Sequence, residues 1–566
     1  MKTSLITIAI IVLLSCRISY VEADESVVVT PLGPVQGLVF DNARLFSGVR
    51  FGEPPIRFRP AETAKPWGPS TYDGTHDPPG CMQSCYGDEP PHICPMKQQE
   101  DCLFLNVWTP RMPSMKAAPT WPVVVFIHGG NFFNGYAGGV EKDGGVLYDG
   151  RTWANSSEIV VVVLQYRMGA FGFLYLGDES ETKVNGNLGL QDQELAIEWV
   201  TANIASFGGD PTRITLMGQS AGAMSISCHM SRPQTNGLYQ GAIMMSNPFG
   251  EAYRDTVSAK TLASAFLNFT GCGVLTNATI AENCLNTLDA NTILAAQVLA
   301  QTDILANLDR ILQIIVPFPP TINTPYLPKR PLEAFQSGNV IDVPYLVGTT
   351  SNETVIFVYE VFETSPGQYL PLSEIEYDVV AALLVGLDLA IEIPTYYPTP
   401  IPPPEDFKVF ASYLTTDGLF VCPTRNASEA LQVSQPFRKS KAYHWQYSHV
   451  AASSPNFWNT NFTECYNMAC HGSDLVMLWH PEQPLIANFT AEENVLALQM
   501  QSYFASFIAT GNPGDAGTGL TWPSYDATTR QTLNFETESM GGVSVFESIH
   551  AKECAWWDSS VGYLIY

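Results

Sequence analysis

Apolar residues along the chain gather into short β-branched runs set between longer stretches with helical spacing. Residues 159–166 form one continuous run of this kind, the mark of a strand buried on both faces. Residues 107–109, 123–127, 214–217, 241–246, 343–347 and 440–447 read as further strands. Residues 27–40 alternate in polarity around Gly33-Pro34, which predicts an early hairpin. Helical spacing covers 188–204 and 495–509, and 255–315 reads as a run of helices. The stretch 365–410 is Pro-rich with helical patches, as a cap or surface excursion would be. Residues 81–102 hold four cysteines among prolines and glycines and read as loop rather than core. Strands alternating with helices predict an α/β chain with a mostly parallel sheet. No internal repeat or interdomain linker interrupts it.

One predicted strand leads into chemistry. The apolar run 214–217 enters Gly218-Gln-Ser-Ala-Gly222, and a helix-compatible segment follows. Strand, sharp turn and helix form the context in which a Gly-x-Ser-x-Gly serine acts as a nucleophile. Gly218 and Gly222 lack Cβ atoms, so the turn can tighten and neighbouring strands can approach. Ser220 sits at the tip. The helix after it directs unpaired N–H groups at the same spot, and the Ala221 N–H is a natural donor to an oxyanion. The pentapeptide alone is a weak signal. It gains force from a base and an acid downstream, in the order Ser, acid, His. Glu353 lies on the loop after the 343–347 strand, five residues past Gly348. His471 lies in Cys470-His-Gly-Ser-Asp-Leu475, also on a loop. Upstream, 123–127 ends in His128-Gly-Gly-Asn-Phe132, with glycines where a backbone must come close to something else.

Composition narrows the setting. The chain has 566 residues, 46% of them hydrophobic, enough for a large core. Residues 1–23 read as a signal peptide, with Lys2 at the start, an apolar stretch over 5–14 and Val21-Glu-Ala23 as the cleavage site. That apolar stretch is too short to span a bilayer, and no later one reaches about 18 residues, so no stable membrane insertion is expected. Residues 24–566 are then expected to form a single domain. Fifty-five acidic residues against 28 basic ones give a formal charge of −27. That disfavours nucleic acid and anionic membrane surfaces as partners. Of twelve cysteines, Cys16 leaves with the signal, so eleven remain and at least one is free. Seven Asn-x-Ser/Thr sequons agree with a secretory route. Asn155, Asn268, Asn277, Asn426, Asn461 and Asn488 are candidate acceptors. Asn352 is expected to stay unmodified, because a glycan there would obstruct Glu353. There is no metal-ligand constellation, P-loop or dinucleotide fingerprint in suitable context, and hydrolysis of this kind needs no cofactor. Oligomeric state leaves no readable signal.

Several further stretches complete a pattern. They are Glu100-Asp-Cys-Leu-Phe-Leu-Asn106, Tyr166-Arg-Met-Gly-Ala-Phe-Gly-Phe173, Asn187-Leu-Gly-Leu-Gln-Asp-Gln193 and Phe207-Gly-Gly-Asp-Pro211. With the elbow, the His128 loop, Glu353 and His471-Gly-Ser-Asp474, the chain resembles the type-B carboxylesterase and cholinesterase family over essentially all of 28–560. The resemblance implies the α/β-hydrolase fold, a large, mostly parallel central sheet flanked by helices. It implies a serine esterase acting on small-molecule esters, with Ser220 as nucleophile, His471 as base and Glu353 orienting the imidazole. Gly130, Asn131 and Ala221 would supply the oxyanion N–H groups. Ser246 resembles the family's serine packed near the acid, and Gln219 precedes the nucleophile. His128 is expected to be a structural neighbour, and Asp474 a less suitable acid than Glu353. Disulfides Cys81–Cys102, Cys272–Cys284 and Cys422–Cys554 carry over from the family. Cys85–Cys94 and Cys465–Cys470 complete the pairing as guesses, leaving Cys228 as the free thiol. Structural ion pairs Arg57–Glu100 and Arg167–Asp192 are implied as well.

The chain also departs from that pattern. Where cholinesterases hold choline with a Trp it has His92, and no Trp occurs between Cys81 and Cys102. The residue before the nucleophile is usually Glu, here Gln219. The aromatic expected three residues past the acid is Ile356, with Phe357 next to it. A quaternary ammonium favours an aromatic face, so these changes argue for neutral esters over acetylcholine. Ile311-Leu-Gln-Ile-Ile315 has no Phe where relatives line the acyl pocket, which predicts room for a longer acyl chain. Asn131 replaces the third glycine of the oxyanion loop. Two other readings stand beside the neutral esterase: a cholinesterase proper, and an esterase-fold adhesion or storage protein with little catalysis, since fold does not fix function.

Overall fold

A computed structural model describes residues 25–85, 94–111, 120–138, 147–273, 275–306, 316–365, 368–458, 462–481 and 488–563. The signal segment, His92, residues 311–315 and Asn461 lie outside these. The core is one eleven-stranded sheet. In chain order its strands are β1 Leu38–Val39, β2 Ala43–Arg50, β3 Phe104–Pro110, β4 Trp121–Ile127, β5 Val160–Leu164, β6 Gly209–Gln219, β7 Gly241–Met245, β8 Tyr345–Thr350, β9 Ala442–Tyr447, β10 Gln531–Phe535 and β11 Ser544–Glu547. Across the sheet they run β1-β2-β3-β5-β4-β6-β7-β8-β9-β10-β11. Neighbours from β5 through β10 are all parallel. The edges turn antiparallel at β3, β2, β1 and β11. The expected mostly parallel α/β sheet is what the chain builds.

Burial explains the continuous β-branched runs. All five residues of β5 and all seven of β4 are buried. Successive side chains leave a strand on opposite faces. Val123, Val125 and Ile127 join one apolar cluster with Val160, Val162 and Leu164. Val124 and Phe126 join a second with Val161 and Val163. The first face is covered by helices Leu188–Asn203 and Ala221–Met230. The second is covered by Ser473–Trp479 and Ala491–Thr510. The early hairpin pairs Val27–Thr30 with Gly33–Gln36 and belongs to a separate small sheet. In the Pro-rich region, helix Glu374–Val385 is closed by a Ser373–Glu376 capping box.

Two details differ from expectation. Cys81 and Cys102 were expected in a loop outside the core, yet both are buried and sit in the first apolar cluster. Their disulfide, with Cα atoms 4.9 Å apart, is part of that cluster. Strand β6 also begins at Gly209, before the apolar run, with an irregular register between Gly209 and Ile214 against β4. Five disulfides form as expected, Cys81–Cys102, Cys85–Cys94, Cys272–Cys284, Cys422–Cys554 and Cys465–Cys470. Cys228 is free and buried, and burial pushes its thiol up to about 12. Arg57–Glu100 and Arg167–Asp192 are both paired, the latter at 2.7 Å and almost without exposure. Among the described residues no helix is long and apolar enough to cross a membrane.

Candidate active site

The carboxyl ends of the parallel strands converge, as ligand sites of open α/β sheets do. Ser220 follows β6, the His128-Gly-Gly loop follows β4, Ser246 follows β7, and Glu353 follows β8. Ser220 adopts φ 55° and ψ −124°, in the left-handed half of the map where a non-glycine residue is strained. Its backbone N–H is tied to the Met245 carbonyl at 2.9 Å. The glycines make the elbow possible. A Cβ on Gly222 would stand 1.9 Å from the Ile127 carbonyl oxygen, and one on Gly218 would meet Gly222 at 2.6 Å. The helix Ala221–Met230 starts at once, with Ser220 as its N-cap residue.

Glu353 is fully buried. Its Oε1 accepts from the Thr350 N–H at 2.7 Å, and its Oε2 accepts from His471 Nδ1 at 2.6 Å. The loops carrying the two residues are pinned together. Asn352 forms an isolated bridge with Cys470, and its N–H reaches the Ala469 carbonyl at 3.1 Å. The Cys465–Cys470 disulfide ends one residue before His471. At Nε2, His471 meets the Gln219 amide nitrogen at 3.0 Å. Asp474 makes no hydrogen bond to His471; it is buried, and desolvation followed by the Glu353 charge raises it to about 8. Ser246 is buried at φ 49°, donates its N–H to the Gly348 carbonyl, and leaves its hydroxyl without a protein partner. His128 stacks on Tyr166 at 4.6 Å, and burial lowers it to about 4, so the ring is neutral.

Gly130 at φ 101°, Asn131 at φ 56° and Phe132 at φ 57° turn the loop after β4 back on itself. The Gly130 carbonyl accepts from Phe133 and Asn134 and closes that turn. Gly129, Gly130, Asn131, Gln219, Ser220 and His471 share a cavity of about 460 Å³. Phe357, Phe457, Trp458, Phe462, Leu147 and Pro317 line much of the rest, beside the polar Asn134, Tyr148 and Gln301 and the carboxylates Glu360 and Glu363. Such a cavity is the size of a small-molecule site. Ile356 and Phe357, the pair at the position where an aromatic was expected, both face it. Among the described residues no group of three metal-ligating side chains occurs.

Two aromatic rings flank His471; Phe357 is the ring noted beside Ile356 in the sequence, and Phe420 went unread. Phe357 and Phe420 hold their ring centroids 5.1 Å and 5.3 Å from that of His471. Phe420 sits on the π-helical turn Asp417–Val421, immediately before the disulfide at Cys422. Such turns are rare and concentrate at functional sites. The readable hint is Gly418, where a Cβ would stand 2.5 Å from the Trp557 ring.

Comparison with known proteins identifies the family. The carboxylesterase family model matches residues 24–557. The cAMP-regulated D2 protein of Dictyostelium discoideum is 33% identical, over 92% of this chain and 90% of that protein. The Crystal protein of the same organism is 32% identical, over 93% and 90%. The para-nitrobenzyl esterase of Bacillus subtilis (strain 168) is 31% identical, over 91% and 95%. The chain therefore belongs to the carboxylesterase family, carboxylic ester hydrolases of the α/β-hydrolase fold.

Proposed function

We propose that the protein is a secreted serine esterase that hydrolyses neutral carboxylic esters through an acyl-enzyme intermediate. The reading rests above all on one contact, the 2.6 Å hydrogen bond from His471 Nδ1 to buried Glu353, in a cavity that also holds Ser220. Ser220 Oγ attacks the ester carbonyl carbon while its proton passes to His471 Nε2. The oxygen that gains charge is met by the N–H groups of Gly130, Asn131 and Ala221. The C–O bond to the alcohol then breaks, and Nε2–H protonates the leaving oxygen. Water, deprotonated by the same nitrogen, attacks the acyl carbon and releases the acid and free Ser220. Glu353 keeps the ring in one tautomer and stabilises its charged form. Removal of one oxyanion donor typically costs 100- to 1,000-fold in rate, on the order of 3 kcal/mol.

The apolar rings of the cavity favour neutral acyl and alcohol groups, and the thiocholine esters in the panel below test whether Glu360 and Glu363 draw a cationic one instead. We also read residues 1–23 as a signal and 24–566 as one functional unit. Asn155, Asn268, Asn277 and Asn488 are exposed, as glycan acceptors must be. Asn352 is half-buried beside Glu353, in keeping with an unmodified side chain. Asn426 is half-buried and donates to Asp558 at 3.0 Å, which makes it the least suitable of the described candidates. Five disulfides agree with an oxidising compartment.

The test is a rate panel on nitrophenyl acetate, butyrate and octanoate beside the matching thiocholine esters, with wild type and Ser220→Ala. Neutral-ester hydrolysis that disappears in Ser220→Ala is expected. Activity that survives the substitution sinks the proposal, and a strong thiocholine preference replaces it with a cholinesterase. A second reading, an adhesion or storage protein with little catalysis, is favoured by the names of the two Dictyostelium relatives, neither of which states an enzymatic activity. No activity above Ser220→Ala on any ester, from folded protein, would select that reading.

A further inference from the structure

Gln219 stands where the family places an acidic residue, and its side chain is buried against the base. Its amide nitrogen lies 3.0 Å from His471 Nε2. Glu353 can only accept, so the proton shared with it at 2.6 Å sits on Nδ1 and leaves a lone pair on Nε2. The Gln219 N–H donates to that lone pair. A slot of backbone holds the amide. A Cβ on Gly129 would stand 2.7 Å from Gln219 Oε1, and one on Gly472 would stand 3.6 Å from Gln219 Nε2. No hydrogen bond joins Ser220 Oγ to His471 in this arrangement. The atom that must take the serine proton is already engaged.

We propose that Gln219 is a positioning residue for the general base, donating to His471 Nε2 when the ring is neutral and accepting from it when the ring is charged. The inference rests on the Ser220–His471–Glu353 reading above. Once Nε2 has taken the serine proton, both ring nitrogens carry N–H groups, and an amide N–H opposite Nε2 is repelled. The last torsion of a glutamine is broad and roughly two-fold. A half-turn about it exchanges nitrogen for oxygen within the same slot, with no backbone movement. A carboxylate at this position has acceptors alone. It favours the charged ring and offers nothing to the neutral one. The amide serves both states and adds no charge.

The other titratable groups facing the ring are Glu353 at Nδ1 and Asp474 on the helix that begins at Ser473. Glu360, Glu363 and Tyr148 lie across the shared cavity. Asp417, paired with His550 at 2.5 Å, is on the turn that carries Phe420. None of them makes a hydrogen bond to Nε2.

The experiment compares pH profiles of kcat/KM on nitrophenyl acetate for wild type, Gln219→Glu and Gln219→Ala. Gln219→Glu is isosteric and should move the acid limb to higher pH by about one unit, because an anion beside the ring favours its charged form. Gln219→Ala should lower kcat about tenfold with KM changed less than about twofold, and leave the acid limb within about 0.3 unit. If Gln219→Ala fails to fold, Gln219→Asn replaces it, withdrawing the amide by one methylene, with the same loss expected. An unmoved acid limb in Gln219→Glu, or full kcat in the shortened variant, overturns the inference. Ser220→Ala, run alongside, separates the two failures. Activity that survives in it ends the serine-esterase reading and this inference together. Activity lost in it, with both Gln219 variants behaving as wild type, ends only the role of Gln219.

Discussion

Phe420 packs against His471 from the π-helical turn Asp417–Val421, with the two ring centroids 5.3 Å apart. Helix Val355–Val361 brings Phe357 to the same imidazole. His471 is thus held by rings, not only by its hydrogen bonds to Glu353 and Gln219. Phe420→Leu keeps an apolar side chain and removes the tilted ring contact. It should lower kcat on nitrophenyl esters about tenfold, with about 1 kcal/mol lost in stability. Steady-state kinetics beside urea unfolding separate the two effects, and unchanged kcat would show that Phe357 suffices.

Gly222→Ala tests the elbow as packing. The new methyl would meet the Ile127 carbonyl at 1.9 Å, and neither backbone can yield without moving Ser220 or the oxyanion loop. A loss of about 3 kcal/mol in urea unfolding is expected, together with loss of esterase activity. A fully active, stable variant would mean that β4 and the nucleophile helix can separate.

His449 is clasped by Glu536 at 2.7 Å and Glu493 at 3.1 Å. Burial opposes its charge, but the two carboxylates outweigh that and raise it to about 9. A raised histidine stabilises the fold fully below its unfolded value, near 6.5, and loses that contribution as pH rises through about 9. Glu493 is lowered to about 2, so its share is present above about 4.5 and lost as pH falls through 2. Wild type should exceed His449→Gln in stability by about 1–2 kcal/mol at pH 5–6, with the gap closing by pH 10. Thermal midpoints across that range measure it.

Asp474 should behave in the opposite sense. Its carboxyl is buried, and desolvation followed by the Glu353 charge raises it to about 8. Between about pH 4 and 8 the folded chain holds a proton there that the unfolded chain does not, so stability falls as pH rises. Asp474→Asn removes the titration. It should be more stable than wild type at pH 8, on the order of 1–2 kcal/mol, with a smaller gap at pH 5. A gap independent of pH would mean that the acid stays charged.

The site was readable in the sequence to the extent that it depends on local geometry. Ser220, the glycines around it and the His128 loop each declare a strand end, and Glu353 follows β8 in the same way. Residues 343–347 and 440–447 announced their strands because the strands they mark are buried on both faces. The contacts across the site were not readable. Gln219 and His471 are 252 residues apart in the chain, and only the convergence of two loops sets an amide against an imidazole. Phe420 was hidden for another reason: a π turn shifts side chains off the 3.6-residue period by which helices are recognised. Cys81 and Cys102 misled because Pro and Gly signal a loop, whereas a disulfide is small and apolar enough to join the core beneath one.

The ring closed by Cys465 and Cys470 spans a sequence separation of five and stops at the residue before the base. Cys470 is also the residue that bridges to Asn352, beside the acid. A newly made chain kept reduced carries every catalytic side chain but lacks the covalent brace where the acid and base loops meet. On the esterase reading proposed above, oxidation of this one pair would add that brace, so the reduced chain is expected to hydrolyse nitrophenyl esters more slowly than the oxidised one.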